Sequence, residues 1–500
     1  MTYMLHNIPW AEIIVVLHVV VVTVLVVRVL YHQRNTGVSV AWILMLVAFP
    51  LVGAVGYLLI GEPRLGSRRL RRQHELVKFY QQFSETYLHD FNQHACSGLN
   101  ERYHGISLIA ADKTGFNATE YNHLTLLTND EEIIAAIRHD IQQAKTSCLL
   151  AFYIIDPQGE IVALLNDTMA AAKRGVVTSM LVDSIGSARF WRSDWPQRLR
   201  TAGITLTEAL PIELWRTFIV RADLRNHRKI AVIDQKIGYT GSFNLVDPRF
   251  FKKNAGVGQW VDVMMRCEGS LVQPLAAVFA GDMAVETESN LMQVQQWVDS
   301  YGKQALMHNL QVAQQEQNGI VVQVIPSAPE QGSPVIYDTI VNAIHAATRR
   351  IIITTPYFVP DEALLLALTT AAIRGVDVTL IVPEAVDSKL VKYASRAYYP
   401  MLLQAGVKIA LFKGGLLHAK TLTVDSDYTL FGTVNMDMRS FYLNMEISLA
   451  IYDEGMTESV VALQNSYLND CEFIELKAWQ ARSKWWGLVE NTVRLVGPLL

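Results

Sequence analysis

Five hundred residues suffice for two or three domains with buried cores, and 43 basic against 47 acidic side chains, a formal net charge of −4, make no global case for an anionic partner. Hydrophobic residues reach 51%, above the soluble norm, with the excess at the N-terminus. Cys96, Cys148, Cys267 and Cys471 show no C-x-x-C spacing or clustered framework, which excludes a disulfide scaffold and points to separate reduced thiols.

Residues 8–29 and 38–60 are almost wholly apolar, and each has the ~20 residues that cross a bilayer core as a helix. Pro50 is tolerable inside the second run, because neighbouring helices re-satisfy freed backbone groups. A cleaved signal peptide would need a basic start and a small-residue cleavage site, and neither is present. Arg28 and Arg34 flank the short connection, whereas Arg64, Arg68, Arg69, Arg71 and Arg72 follow the second run. The larger positive cluster predicts a transmembrane hairpin over 1–65 with the rest of the chain facing the cytoplasm. That cluster reads equally well as a topology signal or as a contact for anionic headgroups. Residues 66–117 read as a basic helical linker, with Phe79, Tyr80, Phe83 and Tyr87 at helical spacing.

From about Asp130 the chain repeats itself. Ala171-Ala172-Lys173-Arg174-Gly175-Val176 returns as Ala371-Ala372-Ile373-Arg374-Gly375-Val376, each ending an amphipathic helix with a glycine stop before an apolar strand. Ala202-Gly203-Ile204 likewise answers Ala405-Gly406-Val407. Strand, helix, strand, helix and motif strand, twice over, predict two similar α/β halves over 118–292 and 319–476. A polar, Gln-rich segment at 293–318 joins them. The tail 477–500 combines Trp479, Trp485 and Trp486 with Lys477, Arg482, Lys484 and Arg494, and reads as an interfacial helix or as one docked on the domain. Trp191 and Trp195, among Arg189, Arg192, Arg198 and Arg200, pose the same choice.

Each half carries one H-x-K-x4-D motif, His227, Lys229 and Asp234 in the first and His418, Lys420 and Asp425 in the second. Each is trailed by a G-x-x-N turn, Gly241-Ser242-Phe243-Asn244 and Gly432-Thr433-Val434-Asn435. On a strand, His and Lys two apart share a face. Neither half alone holds a full set of groups, so one site shared across a pseudo-two-fold axis is expected. Two His, two Lys and two Asn suit a phosphodiester. One neutral His attacks phosphorus, and the other protonates the departing alkoxide. Lys229, Lys420, Asn244 and Asn435 hold the non-bridging oxygens. Asp234 and Asp425 count with the motif's catalytic set, although each stands where the sequence reads as a turn and is read mainly as fixing it. This chemistry needs no metal and no cofactor, and nothing points to nucleic acid.

The double motif resembles that of the phospholipase D superfamily. The resemblance implies that His227 is the nucleophile and His418 the acid, a choice the residues alone leave open, and that Asp262 and Glu446 orient the histidines. Further stretches resemble bacterial cardiolipin synthases along effectively the whole chain. They are Asn226-His227-Arg228-Lys229, Val246-Asp247-Pro248-Arg249, Gly256-Val257-Gly258-Gln259-Trp260, Thr355-Pro356-Tyr357-Phe358-Val359-Pro360, Gly414-Gly415-Leu416-Leu417-His418 and Asn435-Met436-Asp437-Met438-Arg439-Ser440. That implies condensation of two phosphatidylglycerol molecules at the bacterial inner membrane, with release of glycerol. Arg216, Arg221 and Arg225 are placed to hold a second anionic headgroup or to form a solvated basic face. The rival readings are a membrane-bound phospholipase D, a synthase using another alcohol, and an inactive membrane scaffold.

Overall fold

The computed structural model describes residues 10–31, 36–61, 67–88, 99–211, 223–287, 319–329 and 334–495. The expected join at 293–318, Cys96, Arg64, Arg216 and Arg221 lie outside them. The chain divides into two compact units, 1–67 with 212–223, and 68–211 with 224–500.

In the first unit Trp10–Tyr31 is a helix of 22 residues, with side chains described from Val15 onward. The second apolar run is not one helix. Thr36–Ala48 stops at Phe49, and Pro50–Gly56 begins anew with a π-type turn, Tyr57–Gly61, behind it. Pro50 has no N–H to donate to the preceding turn, so it opens a helix and does not continue one. Leu25, Val29, Leu46, Ala54 and Tyr57 form the unit's small apolar cluster. Among the described residues no helix is long and apolar enough to cross a membrane. The expected continuous span over 38–60 is therefore corrected to two short helices.

The second unit is built on one 16-stranded sheet. Ser147–Phe152, Val177–Asp183 and Thr205–Ala209 run parallel, linked by helices Glu160–Lys173 and Trp195–Thr201. Arg350–Thr354, Asp377–Pro383 and Lys408–Phe412 do the same, with helices Glu362–Ile373 and Tyr399–Ala405. The motif strands Ile230–Ile233 and Thr421–Val424 add antiparallel to the first strand of each set. The halves join where Thr119–Leu127 pairs antiparallel with Ile320–Ser327, and outward from this seam the strand order is the same on both sides, except that the second half adds the edge strand Cys471–Phe473. Helices cover the parallel strands, which is why every residue of Ser147–Phe152 is apolar or small and buried.

The two Arg-Gly stops work as the sequence requires. Gly175 and Gly375 have φ of 91° and 95°, a left-handed conformation that costs glycine nothing, and nothing lies within 4 Å of the Cβ each lacks. The next N–H turns back to cap the helix, Val176 to Ala171 O at 3.2 Å and Val376 to Ala371 O at 3.1 Å. The stretch expected to be a helical linker is helical, as Ser67–Tyr87 and Glu101–Thr114, and these helices pack into the cores, burying Leu76, Phe79, Tyr80 and Phe83, and Tyr103, Ile106 and Ala110.

One buried ion pair ties the halves together behind the motif. Arg228 pairs with Asp282 on helix Val272–Thr287. Its Nε donates to Glu446 O at 3.0 Å and its Nη2 to Ser327 O at 2.8 Å, so one guanidinium spans both halves.

Candidate active site

Short strand exchanges bring the motifs together. Arg225–Asn226, just before the first motif, pairs parallel with Asn444-Met445 of the second half, and Leu416–Leu417, just before the second, pairs with Trp260–Val261 of the first. The histidine N–H groups extend these ladders, His227 to Met445 O at 2.9 Å and His418 to Val261 O at 2.8 Å. Each histidine therefore lies beside the carboxylate of the opposite half. His227 Nδ1 is 2.9 Å from Glu446 Oε2, and His418 Nδ1 is 2.7 Å from Asp262 Oδ1. A carboxylate there fixes the Nδ1–H tautomer and leaves Nε2 as the reactive nitrogen.

Both histidines line one cavity of about 580 Å³, together with Asn244, Asn435, Tyr153, Trp260 and Tyr357. Burial pushes both imidazoles down to about 4, against the pull of Glu446 and Asp262, so both are neutral at pH 7. Burial also brings Lys229 down to about 7 and Lys420 to about 8. The ammonium groups stay tethered, Lys229 Nζ donating to His227 O at 2.6 Å and Lys420 Nζ to His418 O at 2.5 Å. Asn244 Oδ1 accepts from Ile154 N at 3.1 Å, which leaves its buried Nδ2 without a partner among the described residues. Asn435 Oδ1 is buried and unpartnered in the same way. Orphaned amide atoms at a cavity wall are costly unless a polar ligand meets them.

The G-x-x-N turns supply a support that their sequence offered but that was not read. Position two carries a hydroxyl in both copies. Thr433 Oγ1 donates to Glu446 Oε2 at 2.5 Å, and Ser242 Oγ accepts from Val263 N at 2.9 Å beside Asp262. The glycines before them permit the approach, since a Cβ on Gly241 or Gly432 would meet a neighbouring carbonyl oxygen at 2.5 or 2.3 Å.

The cavity's two ends differ. Near His227 stand Tyr153, its ring centroid 5.0 Å from the imidazole, and Arg225, paired with Asp183 at 3.7 Å. Near His418 stands Trp260, with ring centroids 4.4 Å apart. On that side Asp387 accepts from Tyr357 Oη at 2.7 Å and Lys252 Nζ at 3.0 Å. Sequence reading missed Tyr153 and Asp387, which come from separate loops without a motif, and gave no role to Arg439, which lines the cavity from the short helix Met438–Tyr442.

Asp234 and Asp425 do not join this set. Each follows its motif strand at the end away from the histidine, roughly 20 Å along the chain at ~3.3 Å per residue, and neither lines the cavity. Both sit in left-handed turns, with φ of 51° and 53°. Asp234 Oδ1 accepts the N–H groups of Lys145, Thr146 and Ser147 at 3.1, 2.7 and 3.0 Å. Asp425 Oδ1 does the same for Arg349 and Arg350 at 2.7 and 2.9 Å. Three charge-assisted bonds are worth several kcal/mol together. Asp234→Ala is thus expected to lower unfolding stability by about 2–4 kcal/mol while kcat of the folded protein stays within a few-fold, read by denaturant unfolding beside a product assay.

Lys229 and Lys420 do not line the cavity but lie buried behind the histidines. Paired α/β halves that share one His-Asn cavity backed by two lysines in this way are the build of phospholipase D-like proteins. The family model described as "Cardiolipin synthase, PLD-like domain" matches residues 137–281 and 340–468, and one described as "Phospholipase_D-nuclease N-terminal" matches 19–62. The chain is 39% identical over 476 residues to Cardiolipin synthase A of Erwinia tasmaniensis and over 478 residues to that of Yersinia pseudotuberculosis, covering 95% of both chains in each case. Among solved structures, the phosphatidylserine synthase of Haemophilus influenzae Rd KW20 aligns with a TM-score of 0.57 at 15% identity, over 77% of this chain and 97% of that one, a likeness of fold. The chain belongs to the cardiolipin synthase family. It is an enzyme of phosphatidyl transfer acting on phospholipid.

Proposed function

We propose that the enzyme condenses two phosphatidylglycerol molecules to cardiolipin and glycerol through a phosphatidyl-histidine. The observation that carries this reading is the crossed pair of histidines, each with Nδ1 held by a carboxylate of the opposite half, on one cavity. In the first step His227 Nε2 forms a bond to phosphorus, the P–O bond to the glycerol headgroup breaks, and His418 Nε2 gives its proton to the departing oxygen. In the second, a hydroxyl of the acceptor's headgroup returns a proton to His418 and attacks phosphorus, and the P–N bond to His227 breaks. The bound phosphodiester's negative charge favours the proton that His418 must carry. Lys229, Lys420, Asn244 and Asn435 hold the non-bridging oxygens throughout. The apolar runs at 8–29 and 38–60 and the arginines behind them support a hairpin in the bacterial inner membrane with the site on the cytoplasmic side.

The test is a product assay on detergent-purified protein with phosphatidylglycerol as the only lipid and no metal or nucleotide added. Cardiolipin and glycerol in equal amounts are expected. Phosphatidic acid and glycerol without cardiolipin would replace this reading with a membrane-bound phospholipase D. The lysines add a pH dependence. Above their lowered values of about 7 and 8 they lose the charge that binds phosphate, so kcat/KM is expected to fall as pH rises from 7 to 9. A bound phosphodiester raises their proton affinity, so kcat holds to higher pH. A kcat/KM flat over that range would refute the lysines' role.

A further inference from the structure

Helix Lys484–Arg494 is docked with its faces reversed from those of an ordinary surface helix. Its one acidic side chain, Glu490, is 2% exposed and takes Arg482 at 2.9 Å and Arg396 at 3.4 Å. Trp485, Leu488 and Leu495 point outward, at 66%, 57% and 77% exposed. These residues and Thr492 share one face at helical spacing, a stripe ~15 Å long at 1.5 Å per residue. The inner side packs on helix Lys389–Arg396, with the ring of Trp486 stacked 5.9 Å from that of Tyr393 and Arg494 over Tyr398 at 5.8 Å. The paired ions hold the apolar side out, so the docking is fixed.

The supporting helix leads to the active site. Ser388 and Val391, at its first turn, line the catalytic cavity, and Leu390 between them is half exposed. The two packed helices thus expose Leu390 beside the cavity rim and Trp485 and Leu488 on the docked helix. On the two helices the exposed charges are of one sign, and Asp387, just before the first of them, is paired with Lys252. Lys389 and Lys484 are exposed, helix Lys389–Arg396 has no acid, and Glu490 is sealed inside. Apolar side chains with a tryptophan, edged by lysines and free of exposed carboxylates, match the interface of an anionic bilayer.

We infer that this two-helix surface docks on an anionic lipid bilayer and sets the catalytic cavity's rim against the headgroup layer. The inference adds a lipid-contact surface to the function proposed above and rests on it only where activity is read. A diacyl lipid then reaches the cavity without leaving the membrane, which spares the cost of exposing its chains to water.

The test uses the full chain reconstituted in vesicles of phosphatidylglycerol and phosphatidylcholine. Leu488→Cys, in a background with Cys96→Ser and Cys471→Ser, is labelled with an environment-sensitive fluorophore, since Cys148 and Cys267 are buried. Brominated acyl chains are expected to quench the label. Trp485→Ser/Leu488→Ser is expected to raise KM for phosphatidylglycerol in vesicles at least about tenfold while kcat/KM for monomeric dihexanoyl-phosphatidylglycerol stays unchanged. An unquenched label overturns the inference, and if self-association then rises with protein concentration, a second copy covers the face. An equal loss on the monomeric lipid also overturns it, by assigning the helix to the fold. Absence of turnover in the wild type would strike the proposed function and leave the quenching result standing.

Discussion

His227→Ala is expected to lower cardiolipin formation by at least about 10⁴-fold and to abolish the covalent adduct, because among the described residues no other buried imidazole on the first-half side of the cavity takes its place. His418→Ala is expected to cost about 10²–10⁴-fold with natural substrate, the usual worth of a general acid and base. A phosphatidyl ester of p-nitrophenol separates the two. Its leaving group departs without a proton, so His418→Ala should release one equivalent of nitrophenol in a burst and then stall as the phosphatidyl-enzyme. His227→Ala should give no burst. The opposite pattern would exchange the roles.

Glu446→Gln and Asp262→Asn are each expected to reduce kcat by about 10³-fold with little change in KM, an effect carried entirely through the histidines. The amide preserves shape but no longer fixes Nδ1–H, so part of the population turns the wrong nitrogen toward phosphorus. Glu446→Gln should impair the nitrophenol burst, since it disorients His227. Asp262→Asn should leave the burst largely intact and slow the steps after it, since it disorients His418. The crossed hydrogen bonds make this assignment, and the reverse result would break it.

The repeat, the motif pairs and the alternation of strand and helix were legible because each has a period or a spacing that local physics dictates. Asp262 and Glu446 were named from resemblance, but not which histidine each would meet. That pairing depends on strands of two residues, too short to show periodicity. Asp234 and Asp425 were legible as turn residues, and counting them with the catalytic set followed the motif alone, since a seven-residue offset carries each to the far end of its strand from the histidine. The run at 38–60 misled because apolar composition measures partition and not continuity, and Pro50 divides it. The segment at 66–117 was read as a linker although Phe79, Tyr80 and Phe83 had the spacing of a packed face.

The exchanged carboxylates also constrain history. Cut at the seam, either half would keep its histidine, lysine and asparagine and lose the acid that orients the histidine. A primordial single-half polypeptide could regain that acid only from an identical copy, rotated by half a turn so that each donates to the other. Such a homodimer would have had one catalytic centre for two chains, with two interchangeable histidines. Fusion of the copies into one reading frame released each from identity with the other. The arginine at one end of the cavity and the tryptophan and Asp387 at the other record that divergence, by which a symmetric centre acquired a direction for its reaction.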